Sequence, residues 1–226
     1  MGMAMEREAF LARVRAATGG TVPAATPTAK ARRASPRESA EPDALDEMAN
    51  WWRRPHRGWY RVATSGAGAT VAGILRAGGL RRAAISDHPL LNALGVPAAA
   101  ATAAEILPLS GGRALVHTTL ASADVGITAA VYAVAETGTL VERAGPDQPR
   151  GISLLPPVHI AVVRAADVLA SLDDLFAILA REPMGSGIVL IAGPSGTADI
   201  GLQHVTGAHG PREVHVVVVD EEPQWA

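Results

Sequence analysis

Across residues 67–220 two hydrophobic rhythms alternate: apolar side chains recurring every three or four positions, and short unbroken apolar runs. TVAGILRAGGL carries the first rhythm and stops on Gly78-Gly79, as a helix ended by glycine does. RRAAISD reads as a short buried strand, and HPLLNALG as a short helix closed by Gly95. RALVHTTL, DVGITAAVYAVA, TGTLVER and VHIAVVR have strand character. AADVLASLDDLFAILAREP sets Val168, Leu169, Leu172, Leu175, Phe176 and Leu179 at helical spacing before Pro183, which predicts one amphipathic helix. GIVLIAG is expected as a fully buried strand, GTADIGLQHVTG as a short helix and EVHVVVVD as a last buried strand. Strands without polar alternation, separated by helices, predict an α/β domain built on a mostly parallel sheet flanked by helices.

Upstream the rhythm changes. Residues 6–17 place Phe10, Leu11 and Val14 on one side of a helix. The stretch that follows, to Asn50, is rich in Pro, Ala, Thr and charge and has no apolar period, which suits a linker. The shift predicts a helical and extended N-terminal arm over residues 1–60 and the α/β domain over 61–226, with the boundary falling between residues 45 and 60. WWRRPHRGWY holds three of the four tryptophans. Either its rings pack onto the domain, or it contacts a partner or covers a pocket, because Trp and Arg are favoured interface anchors.

Composition narrows this picture. Hydrophobic residues are 48% of the 226 and aromatics only 4%, so the core is aliphatic. The formal net charge of −2 argues against the basic face that a nucleic-acid binder needs. Basic residues gather at Arg32, Arg33 and Arg37 and again at Arg53, Arg54, Arg57 and Arg61. There is no cysteine, hence no disulfide, no thiolate nucleophile and no iron–sulfur cluster held by this chain's own thiolates. No apolar run approaches the roughly 18–20 residues of a membrane span, and the first residues do not read as a signal peptide, so a cytoplasmic location is expected.

Three turns carry candidate chemistry. In IAGPSGTADIG, Gly193, Ser195, Gly196 and Thr197 are expected to lead a strand into a helix start, where free N–H groups attract anions, with Asp199 in the first helical turn. A capped turn without a ligand explains the same residues. In AVAETGTLVE, Glu136 sits in an apolar run before Thr137, Gly138 and Thr139. Its carboxylate needs a partner or takes a raised pKa, the preparation for acid/base or nucleophilic work; an ion pair or a cap on the next element is the other account. In VTGAHGPREVHV, His209 on a tight turn is a candidate acid/base group, whereas His159 and His215 are expected to be buried and hydrogen-bonded. A metal site from Asp199, His204 and His209 is set aside because the spacing is poor. A Ser–His–Asp triad is rejected because the nucleophile-elbow pattern is incomplete. No cofactor is expected.

AETGTLV (135–141), LPPVHIAVV (155–163), GPSGTADI (193–200) and HGPREVHVVVVD (209–220), in that order and spacing, resemble the LUD domain family, in its lactate-utilisation protein C branch. The resemblance spans approximately residues 80–220. It implies a NagB/RpiA/CoA-transferase-like fold and a role in oxidising L-lactate to pyruvate beside partner proteins that carry iron–sulfur centres. The family's turn commonly reads GPSRTADIE; this chain has Gly196 in place of the Arg and Gly201 in place of the acidic residue. An anion held there needs backbone groups or an arginine from elsewhere, such as Arg150 or Arg212.

Two functions follow as expectations. One is a non-iron–sulfur subunit of a lactate-oxidising system with an anion-binding pocket, without settling whether it is itself an enzyme. The other is a free-standing enzyme or binder for a small anionic acyl, hydroxy-acid or phosphate ligand. Glu136 would act with His209 assisting, and Thr137–Thr139, Gly193, Ser195–Thr197 and Asp199 would hold the ligand. Association between copies of the chain stays open.

Overall fold

The computed structural model describes residues 42–182, 186–198, 204–207 and 209–220, together with Ala12, Arg13 and Ala16. The chain divides into two units, Met1–Arg32 and Arg33–Ala226. In the first, Ala12, Arg13 and Ala16 are helical; the rest of the expected N-terminal helix, and the arm up to residue 41, lie outside the described residues.

The larger unit is built on six parallel strands: β1 (Arg57–Ala63), β2 (Arg82–Ile85), β3 (Glu105–Leu107), β4 (Val125–Ala129), β7 (Val158–Arg164) and β12 (Glu213–Asp220), in the order β1-β12-β7-β4-β2-β3. Both faces are covered, which is why these strands read as unbroken apolar runs. On one face Ile85, Val125, Ile127, Ile160, Val162 and Val217 meet helices α2 (Ala67–Ala77), α3 (Pro89–Ala93) and α4 (Val96–Ala101). On the other, Ala161, Val163, Val214, Val216 and Val218 meet Leu45, Met48 and Trp52 of helix α1 (Pro42–Trp52). A second sheet covers the remainder of that face: β5 (Tyr132–Val134), β6 (Thr139–Ala144), β8 (Val168–Leu169) and β9 (Gly187–Ile191), ordered β8-β5-β6-β9. Its outer side packs Val134 and Val141 on Leu175 of helix α6 (Leu172–Leu179).

Five expectations are corrected. Residues 42–50, expected as the end of a linker without an apolar period, belong to α1, whose Leu45, Met48 and Ala49 are buried. RALVHTTL forms helix α5 (Arg113–Ala121); its β-branched residues suggest a strand, but only Leu120 is buried, with Val116 four positions earlier packing beside it. The long 165–183 segment is α-helical only from Leu172, where the Ser171 hydroxyl caps α6 by accepting the Asp174 N–H (3.2 Å); Ala165–Asp167 form a 3-10 turn, and Val168 and Leu169 belong to β8. GIVLIAG is β9, an edge strand with Leu190 46% exposed. GTADIGLQHVTG contains no helix among its described residues: β10 (Gly196–Ala198) and β11 (His204–Thr206) pair as an antiparallel ribbon. DVGITAAVYAVA is strand, as expected, but it changes sheets, giving β4 and then β5.

Between the two sheets lies a buried polar trio. Glu142 on β6, Thr128 on β4 and His159 on β7 are 3%, 0% and 0% exposed. The Thr128 hydroxyl donates to Glu142 Oε1, so the His159 Nε2–H is the donor that faces both the Thr128 oxygen (2.8 Å) and Glu142 Oε1 (3.0 Å). Burial pushes the Glu142 carboxyl up, but the His159 charge and hydrogen bonds from His159, Thr128 and Ser153 outweigh it and hold its pKa below the ordinary 4.5. His159 is thus buried and hydrogen-bonded, as the sequence suggests.

A carboxyl whose folded pKa is depressed contributes stability above its unfolded value and loses it as pH falls through the folded value. Wild-type protein should therefore lose stability below pH 4.5. Glu142→Gln should be less stable at neutral pH by about 3 kcal/mol, with a flatter acid limb; urea melts across pH check both signs. Backbone contact gives a second test. A Cβ at Gly126 would run into the Ile152 carbonyl, whereas one at Gly73, exposed on α2, meets nothing. Gly126→Ala should cost roughly 2 kcal/mol or more, and Gly73→Ala should stabilise by about 0.5–1 kcal/mol.

Candidate functional site

Strand order reverses at β2: β3 lies on one side of it, and β4, β7, β12 and β1 on the other. In open α/β sheets such a switch leaves a crevice outside the carboxyl ends of the strands. A cavity of about 270 Å³ sits there. His88 follows β2, Ala130 follows β4, and Arg164 and Asp167 come from the end of β7 and the turn after it. Tyr132 of β5 and Arg143 of β6 close it from the second sheet, with Glu182 from the segment after Leu179.

Charge in this crevice is paired but not inert. Arg164 forks onto Asp167 through Nε (2.6 Å) and Nη2 (2.9 Å). Arg143 Nη2 and the Tyr132 hydroxyl (2.9 Å) both donate to the Glu182 carboxylate. Burial, then the hydrogen bond and charge of Glu182, push the Tyr132 phenol up to about 12, so it stays protonated and a donor. Arg143 Nε is buried with no hydrogen-bond partner, which leaves that guanidinium incompletely satisfied. His88 Nδ1 accepts the Leu90 N–H (3.2 Å) at the start of α3, which places the proton of the neutral ring on Nε2. Burial lowers the His88 pKa, against the opposing pull of Asp147, and favours that neutral form. The crevice therefore offers a neutral imidazole donor, a phenol donor and two guanidiniums within a small volume. A larger groove of about 540 Å³, lined by Phe176, Leu179, Ile188 and Leu190, has Glu182 as its one ionisable group among the described residues, which do not supply the converging polar groups of a chemical site. Among the described residues, no group of three or more His, Asp or Glu is arranged to hold a metal ion.

The turns singled out in the sequence lie at the opposite end of the sheets, where β6 begins and β9 ends. Glu136 is exposed, and its Oε1 accepts the Leu172 N–H (2.7 Å), so its carboxylate caps α6. The Thr137 hydroxyl donates to Thr139 Oγ1 (2.8 Å). Gly138 has φ +63°, which leaves room for the Trp51 side chain, and its carbonyl accepts the Trp52 indole N–H (3.0 Å). Gly193, at φ +141°, lies against the Arg57 guanidinium. Ser195 Oγ accepts the backbone N–H of the exposed His209 (3.1 Å), and the Ser195 N–H donates to the Pro211 carbonyl (2.8 Å). Gly196 and Thr197 belong to β10, so no helix start stands behind this turn among the described residues. Asp199 lies outside the described residues.

The structure thus brings the 136–139 and 193–196 turns together through Trp51, Trp52 and Arg57, and keeps both apart from the crevice. The sequence reading misses His88, Tyr132, Arg143, Arg164 and Glu182. Two of these were within reach: Arg164 ends a parallel strand and His88 follows another, the positions from which ligands are bound.

The LUD domain family model matches residues 60–219. A lactate utilization protein C from an Exiguobacterium species is 39% identical over 104 residues, 44% of this chain and 45% of that protein. One from Deinococcus radiodurans is 37% identical over 107 residues, 46% of this chain and 50% of that protein. An uncharacterized protein of Neisseria meningitidis is 36% identical over 98 residues, 42% of each. The matched stretch spans about half the length of these relatives or less. A solved DUF162 family protein from Deinococcus radiodurans shares the fold, with a TM-score of 0.54 at 24% identity over 78% of this chain and 96% of that one. No helix among the described residues is long and apolar enough to cross a membrane. With the family model covering the main sheet from β1 to β12 and a relative of the same fold, the chain belongs to the LUD domain family.

Proposed function

We propose that this chain works in lactate utilisation as a cysteine-free LUD subunit that binds a small 2-hydroxy or 2-oxo carboxylate at the carboxyl ends of its main sheet. The observation that carries this reading is the crevice: a cavity of about 270 Å³ where the His88 donor and the Arg143 guanidinium converge. That volume lies at the lower edge of ordinary ligand pockets, which suits a three-carbon acid better than a nucleotide. A ligand carboxylate would replace Glu182 as the acceptor for Arg143, and the His88 Nε2–H would donate to the 2-oxygen. The curated relatives with assigned names are lactate utilization proteins, which supports the same chemistry. Oxidation of lactate releases two electrons and two protons. Because the chain has no cysteine, the iron–sulfur centres that would accept the electrons belong to partner proteins in this proposal.

In this reading Glu136 and Ser171 secure the start of α6, and the Thr137–Thr139 and Gly193–Thr197 turns shape the other end of the fold.

Thermal-shift and calorimetric titrations should show saturable stabilisation by L-lactate or pyruvate. Arg143→Gln should weaken it by roughly tenfold or more, His88→Asn should also weaken it, and Glu136→Gln should leave it unchanged. No stabilisation by either acid, or an undiminished response in Arg143→Gln, would falsify the assignment. Loss of the response in Glu136→Gln alone would move the site to the amino end of the sheet.

A further inference from the structure

We infer a second anion site at the amino end of the main sheet, where Arg54 and Arg57, held side by side on Trp51 and Trp52, grip a phosphate group. It rests on residues different from those of the carboxylate crevice. Gly138 and Arg143 are five residues apart on the β5–β6 hairpin, about 17 Å at strand rise, so the two sites lie at opposite ends of the second sheet.

The two guanidiniums are positioned without any acid. Arg54 lies over the Trp51 ring, 4.6 Å from its centroid, and Arg57 over the Trp52 ring at 5.4 Å. Arg57 Nη1 donates to the Trp51 carbonyl (3.0 Å), and its guanidinium rests against Gly193, where any side chain would collide with it. Neither arginine forms an ion pair with a described carboxylate, although Arg61, four residues beyond β1's first strand position, is paired with Asp220. Burial and the neighbouring Arg54 charge both lower the pKa of Arg57, so the arrangement costs free energy in the absence of a ligand.

The backbone adds a further cost at the same place. The Arg57 N–H closes a turn onto the Arg54 carbonyl (3.2 Å). Pro55 takes the second position of that turn, and His56 the third at φ +62°, where glycine is the residue at ease. His56 is the one non-glycine residue with positive φ among those described. Strain of this kind persists where surrounding structure enforces it, commonly at binding sites. Here it turns the chain so that the second arginine returns beside the first. Like-charge proximity, partial desolvation and a left-handed histidine are thus gathered in four residues. A doubly charged oxyanion relieves the first two, because its oxygens accept from two guanidinium forks at once. A carboxylate brings one charge and satisfies one fork.

The test uses the full-length protein at low ionic strength, with inorganic phosphate and pyrophosphate as probes and L-lactate as the comparison. Both phosphate probes should raise the melting temperature saturably, more than lactate does in Arg143→Gln protein. Arg57→Gln and Arg54→Gln should weaken the response by roughly tenfold or more. Arg57→Lys, which keeps the charge but loses the fork, should also weaken it, while the exposed Arg53→Gln should not. Without ligand, Arg54→Gln should melt higher than wild type, since it removes a repulsion. The inference is overturned if neither phosphate probe stabilises the protein, or if Arg57→Gln and Arg54→Gln respond like wild type. It is equally overturned if Arg54→Gln lowers the ligand-free melting temperature and leaves the phosphate response intact, the signature of a purely structural cation–π staple.

Discussion

A carboxylate buried between two sheets tolerates very few arrangements of the chain around it. Glu142 is such a group, and its partners Thr128 and His159 come from two strands of the other sheet. Side chains alternate along a strand, so placing Glu142 against the main sheet sends Val141 and Arg143 to the opposite face. Val141 meets α6 there, and Arg143 meets Glu182 at the crevice. A slip of one residue would bury the arginine against Thr128 and strip the crevice of its cation. The register of β6 therefore links the buried trio to the candidate chemistry. Gly126 serves the same junction, because its missing side chain admits the Ile152 carbonyl and lets Ser153 reach Glu142.

What could be read from the sequence follows from how local each determinant is. The parallel strands were legible because burial on both faces removes polar alternation, and β2, β4, β7 and β12 all obey it. The second sheet was not, since an apolar run does not say which sheet receives it; VYAV and GIVLI read like any other buried strand. RALVHTTL and GTADIGLQHVTG went wrong in opposite directions, one rich in β-branched residues yet helical, the other expected helical yet a ribbon. In both, neighbours outside the segment outweighed local preference. The sites divide the same way. His159 was legible as a buried histidine, but its partner Glu142 is 17 residues away in another sheet. The contact between Arg57 and Gly193 joins segments 136 residues apart.

That contact bears on Gly196, where the resemblance drawn from the sequence implies an arginine. Of the replacements considered, Arg212 packs on Gly207 and Arg150 on Gly187, whereas Arg57 reaches the Gly193 turn itself. The guanidinium comes from the first strand of the main sheet, and Trp52 fixes it by filling the core with one edge and offering its face to the cation. In a chain with 4% aromatic residues, three tryptophans within nine positions need a local cause. Two of them serve three tasks at one place: Trp52 closes the core at the end of α1, its N–H holds the β5–β6 turn, and the faces of Trp51 and Trp52 carry two arginines that no described acid neutralises. Aliphatic side chains could perform the first task only. Trp51 and Trp52 therefore stand where the fold needs packing, a hydrogen-bond donor and a cation platform from the same residues, and the Gly138 and Gly193 turns lean on them and on Arg57.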